Sequence, residues 1–220
     1  MQTPAQKFFT GASIEDLMQM FISAVDAKLF PPGAPPRPEL INADGSTAIA
    51  TSSGLPLISK PFQSTPIHIP NAGDGANARH SYKTELVLLR DPKVRTVKML
   101  WWHGDDPRDT PHNHPWSFRS AILSGGYSEE RFHVSNGVTH KETRTYEAGD
   151  INVVPSDVFH NVRDVQPGTV TLLDCGEASE GNAWGYLNVA TGERIPNSQL
   201  TPANFLENFR ALNPHLLPKS

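Results

Sequence analysis

From Lys83 onward the chain is a succession of short β-type runs, at 85–89, 94–102, 118–123, 127–134, 138–146, 151–154, 158–162 and 169–173. Turn residues separate them: Asp91-Pro92, Gly125-Gly126, Asn136-Gly137, Ala148-Gly149-Asp150 and Gln166-Pro167-Gly168. Asn-Gly between two such runs is a strong hairpin signal, because the tight turn that matches strand twist needs positive φ at both central positions. Short strands at this spacing predict an all-β sandwich or barrel.

Two stretches of this β region carry the chemistry. Pro111-His112-Asn113-His114-Pro115-Trp116 contains an H-x-H pair, and Gly149 to His160 ends in a third histidine just past a turn at Pro155 to Asp157. Alternate side chains of an extended strand share a face, so His112 and His114 point the same way. His160 on a strand paired nearby completes three corners of a metal site. Imidazole suits zinc, iron, copper and nickel, and three protein ligands with open positions is the catalytic arrangement. Cys175 is the single cysteine, so a thiolate cluster and an intramolecular disulfide are both excluded. Any metal must be held by nitrogen and oxygen.

The 220 residues suffice for one well-buried core with appended segments. The 23 acidic residues outnumber the 19 basic ones, and no basic cluster stands out. Nucleic acid and anionic membranes are therefore not expected partners. The lone cysteine fits a reducing compartment, and neither a leader-like nor a spanning stretch is visible, so the expected location is cytoplasmic.

Upstream, residues 13–30 read as an amphipathic helix. Ser13 with Asp16 resembles a capping box, and Ile14, Leu17, Met18, Phe21, Ile22, Val25 and Leu29 recur at helical spacing. Such a stripe packs on a core or on a partner subunit, which makes a homodimer the expected assembly. Pro31 to Pro38 forms a stiff connector, and 41–82 reads as irregular arms with short strands. At the other end Thr201 is the expected N-cap of a last helix with Pro202 at its first position, burying Phe205, Leu206, Phe209 and Leu212. The expected division is 1–82 for the helix, connector and arms, 83–190 for the barrel, and 191–220 for a helical tail.

Together, the two histidine stretches resemble the paired motifs of the cupin superfamily over about residues 84 to 190. Gly125 or Gly126 matches the closing glycine of the first motif, and Gly149 and Pro155 match the start of the second. The stretch from Pro111 to Tyr127, with Trp184-Gly185-Tyr186, further resembles a subgroup of small bacterial cupins reading H-x-H-P-W. The resemblance implies a double-stranded β-helix (jelly-roll) barrel with a metal in its mouth, held by His112, His114 and His160. Three positions depart from the pattern. Phe118 or Arg119 stands where the first motif has glutamate, Asp157 where the second has glycine, and Asp164 where it has asparagine. Loss of the glutamate implies either a three-histidine centre, as in the thiol dioxygenase branch of the superfamily, or a lost metal.

Two registers are open for the missing carboxylate's position. Arg119 inside the barrel would clamp a carboxylate or phosphate; Arg119 outside would leave Phe118 packing the core. On the next run Tyr127, Glu129, Arg131 and His133 share a face. They line the cavity, with Glu129 as a replacement ligand, or they form an exposed polar row. His103, beside the Asp105, Asp106 and Asp109 loop, reads as a gate or as a surface residue. Cys175 reads as a small buried hydrophobe.

The function expected from these features is a mononuclear iron(II) oxygenase of the dioxygenase type, acting on a small anionic organic molecule. Its ligands are His112, His114 and His160, with Arg119, Tyr127 and His133 as catalytic candidates. Zinc, nickel or manganese are the alternative metals. A metal-dependent isomerase, lyase or hydrolase and a non-catalytic ligand-binding barrel are the alternative functions.

Overall fold

The computed structural model describes residues 11–26, 66–71, 80–91, 93–179, 184–200 and 204–216. In chain order its elements are α1 (Ile14–Asp26), β1 (Ile67–Pro70), β2 (Ser81–Asp91), β3 (Arg95–Trp102), β4 (Phe118–Ser124), β5 (Gly126–Ser135) and β6 (Val138–Glu147). There follow β7 (Ile151–Val154), β8 (Phe159–Arg163), β9 (Val170–Cys175), β10 (Gly185–Asn188), β11 (Glu193–Pro196), α2 (Asn197–Leu200) and α3 (Phe205–Leu212).

All eight expected β runs are strands, and their turns form for the expected reason. Asn136 and Gly137 both take positive φ, 51° and 74°, so the tight β5–β6 hairpin closes with Ser135 opposite Val138. Gly125, at φ 67°, has no room for a side chain, because a Cβ there would lie 2.4 Å from the Thr169 hydroxyl. Strands β1, β10 and β11 add to the expected set.

Two sheets face each other. One has six strands in the order β1-β2-β3-β9-β4-β7, and the other has the order β6-β5-β8. After β3 the chain touches the second sheet at His112, returns to the first as β4, and crosses to the second as β5 and β6. It then alternates again as β7, β8 and β9. This repeated crossing of antiparallel strands is the double-stranded β-helix of a jelly roll. Apolar side chains join the two sheets: Tyr127 of β5 and Val162 of β8 cluster with Leu100 and Trp102 of β3 and Ile122 of β4.

The six-stranded sheet is buried on both faces. Its outer face presents Leu86, Val97, Met99, Trp101, Ala121, Leu123, Val170 and Leu172, and α1 covers it with Ile14 and Leu17, 1% and 0% exposed. The helix starts where the sequence says it should. The Ser13 hydroxyl accepts from the Asp16 N–H at 3.0 Å, and Asp16 Oδ2 accepts from the Ser13 N–H at 3.1 Å, the reciprocal bonds of a capping box. Arg95 of β3 fixes the approach to the helix by donating to the Ala12 carbonyl and to Asp174 of β9. The expected positions 27–30, the proline connector and the arm at 41–65 lie outside the described residues.

The last helix differs from expectation. It runs from Phe205, and Thr201 and Pro202 lie outside the described residues. Leu206 faces solvent, 54% exposed, while Phe205 and Phe209 stack on each other half-buried. Docking instead depends on a polar residue. Asn213, fully buried, accepts from the His68 N–H at 2.7 Å and donates to the His68 carbonyl at 2.8 Å, so its side-chain amide acts as a strand partner for β1. Among the described residues no helix is long and apolar enough to cross a membrane.

The apolar seam between α1 and the sheet sets a stability prediction. Leu17→Ala leaves a cavity against the outer face and lowers the unfolding free energy by about 2–5 kcal/mol, measured by urea denaturation.

Candidate metal centre

The H-x-H segment is held as a strand by partners on both edges. The His112 N–H donates to the His160 carbonyl at 3.1 Å and the His160 N–H donates back to the His112 carbonyl at 2.8 Å. On the other edge Leu187 N–H reaches the Pro111 carbonyl at 2.8 Å, and Asn113 N–H reaches that of Gly185 at 3.0 Å. Extended geometry sends His112 and His114 to one side and Asn113 to the other. Asn113 is buried there, accepting from Gly185 N–H and donating to the Ser156 carbonyl, each at 2.8 Å. Gly185 itself cannot carry a side chain, since a Cβ would meet the Ile195 carbonyl oxygen at 2.4 Å.

This scaffold brings three imidazoles together. One ring nitrogen from each of His112, His114 and His160 lies within 4.8 Å of the others. His114 Nε2 and His160 Nε2 are 3.1 Å apart. His160 Nδ1 lies 2.7 Å from Glu129 Oε1, and a carboxylate oxygen only accepts, so Nδ1 donates there and Nε2 is turned toward the other rings. Burial lowers the pKa of His112 to about 4, with the His160 charge acting in the same direction. Burial pushes His114 well down too, with His112 and His160 adding to it. Three convergent imidazole nitrogens, on rings two of which have depressed pKa values, fit a divalent transition metal, and the three-nitrogen donor set leaves coordination positions open.

Glu129 is not a fourth donor in this arrangement. Its second oxygen, Oε2, accepts from Arg131 Nε at 2.6 Å, so both oxygens are engaged. Arg131 in turn donates to Asn152 Oδ1 at 2.6 Å and to the Val153 carbonyl at 2.8 Å, and Asn152 donates to the Tyr127 hydroxyl at 3.0 Å. Burial alone would raise the Glu129 pKa. The hydrogen bond and charge of His160, with those of Arg131, outweigh burial and hold Glu129 below the usual carboxylate range. A buried carboxylate fixing the far nitrogen of a ligating histidine orients the ring and raises its basicity.

Two expected catalytic residues lie elsewhere. Arg119 is on the outer face of β4, in an ion pair with Glu15 of α1, whose carboxyl the guanidinium lowers. Phe118 is the inward residue, 5.2 Å from His114 and 5.8 Å from His160 between ring centres. His133 is exposed, opposite His140, because β8 pairs with β5 only as far as Phe132. Tyr127 does point into the barrel, but its hydroxyl is buried on Asn152. His103 is exposed and bonded to Thr84 at 2.8 Å. The acidic loop serves the strands: Asp106 accepts from Val162 N–H at 2.8 Å and Asp105 from Val165 N–H at 2.9 Å.

Sequence reasoning missed Asn113 and the pair formed by Arg108 and Tyr186. Arg108 donates to the Tyr186 hydroxyl and stacks over its ring, and that ring is 6.4 Å from His112. The aromatic residue after Trp184-Gly185 was the available signal for Tyr186. No local pattern marks Asn113, whose role depends on two distant carbonyl and amide groups.

Glu129→Gln keeps the shape but removes the charge that holds the His160 tautomer. It lowers metal affinity about 10- to 100-fold with the fold intact, measured by competition with a chelator. A pH effect follows from His112. Its folded pKa, about 4, lies below the ordinary 6.5, so the unfolded chain takes up the proton first. In metal-free protein this contribution to stability is complete above pH 6.5 and falls as pH drops toward 4. The urea midpoint of the wild type therefore declines over that window more steeply than that of His112→Gln.

No protein-family model matches the chain, and no curated protein matches it. Among solved structures it is similar to KdgF from Halomonas sp., at 18% identity over 44% of this chain and 82% of that one, with a TM-score of 0.33. An RmlC-like cupin from Shewanella frigidimarina is 18% identical over 54% of this chain and 87% of that one, TM-score 0.36. Pac13 from Streptomyces, a nucleoside dehydratase, is 13% identical over 54% and 84%, TM-score 0.37. With strands crossing repeatedly between two antiparallel sheets, the chain has a jelly-roll fold.

Proposed function

We propose that the protein is a mononuclear metal enzyme acting on a small organic molecule, with His112, His114 and His160 as the metal ligands and iron(II) as the metal of an oxygenase reaction. The observation that carries this reading is the convergence of three imidazoles within 4.8 Å, one of them locked by a buried carboxylate. Iron(II), when bound, supplies one-electron redox chemistry toward dioxygen.

The chain's own contribution is to bind, orient and exclude. Glu129 and Arg131 hold His160 in one orientation, and the His112–His160 main-chain pair keeps the two ligating strands in register. Phe118 and Trp116 give His114 an apolar flank, with Trp116 stacked at 6.2 Å between ring centres. The oxygenase reading is favoured over proton-transfer chemistry because the expected acid–base groups are engaged elsewhere. The Tyr127 phenol is tied to Asn152, Glu129 is tied to Arg131, and His133 faces solvent. One observation favours the second reading, a metal-dependent isomerase or lyase. The Tyr186 hydroxyl beside Arg108 is a proton-bearing group close to His112.

Metal analysis of the purified protein separates these readings from a non-catalytic barrel. The expected result is stoichiometric metal that is lost in His112→Ala and His160→Ala. Metal content indifferent to both substitutions sinks the proposal. Oxygen uptake with candidate organic acids by the iron-loaded protein supports the oxygenase, whereas turnover undiminished without oxygen shifts the assignment to the second reading.

A further inference from the structure

Strand β6 is the long uncovered edge of the β6-β5-β8 sheet. It runs ten residues from Val138 to Glu147 without proline or bulge, and Lys141 to Thr145 are all exposed. The other sheet edges among the described residues are short or occupied. Strand β1 has four residues, ends at Pro70, and has the main chain of His68 taken up by the Asn213 amide. Strands β7 and β11 have four residues each, and β11 ends at Pro196. The outer sides of β8 and β10 are bonded to the H-x-H segment at His160, Gly185 and Leu187. Short, proline-ended or covered edges are how sheets avoid joining other chains, and β6 has none of these protections.

The Asn136-Gly137 turn decides which main-chain groups of β6 face outward. A two-residue turn makes Ser135 and Val138 the pair that exchanges both hydrogen bonds, and the ladder alternates from there. Val138, His140, Glu142, Arg144 and Tyr146 therefore bond to β5, while Thr139, Lys141, Thr143 and Thr145 turn their N–H and C=O groups away. Glu147, next in the outward series, follows the rule: its N–H donates to Asp150 Oδ2 at 2.8 Å. Among the described residues, no other segment bonds to the main chain of Thr139, Lys141, Thr143 or Thr145. Together they offer an antiparallel template to an added strand.

Charge selects the occupant. A second copy of β6, meeting the first around a two-fold axis, pairs outward residues with outward residues. The registers that use most of the strand then centre on Lys141, Glu142, Thr143 or Arg144. Three of these set like charges face to face: Lys141 on Lys141, Glu142 on Glu142, or Arg144 on Arg144. Centred on Thr143, the strands set Glu142 of each copy opposite Arg144 of the other, in a pair whose Cα atoms lie about 4.5 Å apart. Lys141 then faces Thr145, and His140 faces Tyr146. Within one chain Arg144 Nη2 already lies 2.6 Å from a Glu142 carboxylate oxygen, so the two copies close a ring of alternating charges.

We propose that the protein forms a two-fold homodimer by antiparallel pairing of β6 with β6 of a second copy, in the register that sets Thr143 opposite Thr143. The pairing joins the two smaller sheets into one continuous sheet across the dimer. Ile14 and Leu17 of α1, the stripe that could have met a partner, are buried on the chain's own sheet. The inference does not depend on the metal reading.

The test is sedimentation velocity of the purified full chain over a concentration series, with far-UV circular dichroism as the check of folding. The wild type is expected to pass from monomer to dimer as concentration rises. Glu142→Arg and Arg144→Glu each weaken dimerisation at least about 10-fold, because the two-fold axis sets like charges opposite each other twice. The double variant Glu142→Arg/Arg144→Glu restores it. Thr143→Cys is expected to give a disulfide-linked dimer on mild oxidation, since residues on the axis lie about 5.5 Å apart between Cα atoms. Lys141→Cys, more than about 13 Å from its counterpart, does not cross-link, and the buried Cys175 does not compete. A wild type that stays monomeric throughout leaves the edge to a different chain and overturns the proposal. A dimer that survives both single charge reversals, or no recovery in the double variant, overturns it as well. Should the charge variants fail to fold, the cysteine variants decide: a Thr143→Cys chain that cross-links no better than Lys141→Cys overturns the pairing.

Discussion

The reciprocal main-chain bonds between His112 and His160 are the interaction on which the site depends. They join a loop segment to the edge of β8, and a pair that exchanges both N–H···O bonds fixes its neighbours to a definite side of the strand. Slippage by one residue would turn Asn113 inward and both histidines outward. Asn113 guards against that slip from the opposite face, where its amide satisfies one donor and one acceptor that would otherwise be buried without partners. The imidazoles converge because the backbone leaves them no other side to occupy.

The placement of apolar surface explains why such a small barrel can hold polar chemistry. Its largest buried cluster lies outside the barrel, between α1 and the six-stranded sheet, while the inner clusters around Leu100 and Phe118 are smaller. Hydrophobic burial scales with area and not with position, so stabilisation gained on the outer face leaves inner positions free for charged residues. Lys83, Glu85, Lys98, Glu129 and Arg131 occupy them. Each charge has an opposite neighbour at hydrogen-bond range or a little beyond, which limits the desolvation penalty.

What the sequence reveals follows from which signals are local. Asn136-Gly137 specifies its own turn, and Ser13 with Asp16 specifies its own helix start, so both are legible without the fold. The histidine pair is legible because extended geometry aligns side chains two apart. Arg119 and Glu129 were ambiguous because alternation alone does not say which face of a strand is inside. In β4 both faces are buried, and Phe118 and Ala121 are equally apolar, so the pattern offers no preference. Lys83, Glu85 and Lys98 look like a solvated edge in the sequence. They become an interior wall only because α1 claims the alternate residues Leu86, Val97 and Met99. Asn213 is illegible for a similar reason, since its partner His68 lies 145 positions away.

Phe118 gives the barrel a handedness of polarity. Beside His114 it forms, with Trp116, a hydrocarbon quarter, whereas Tyr186 and Arg108 border His112 with hydrogen-bonding groups. A molecule bound at the three imidazoles would therefore meet carbon on the His114 side and hydrogen-bonding groups on the His112 side.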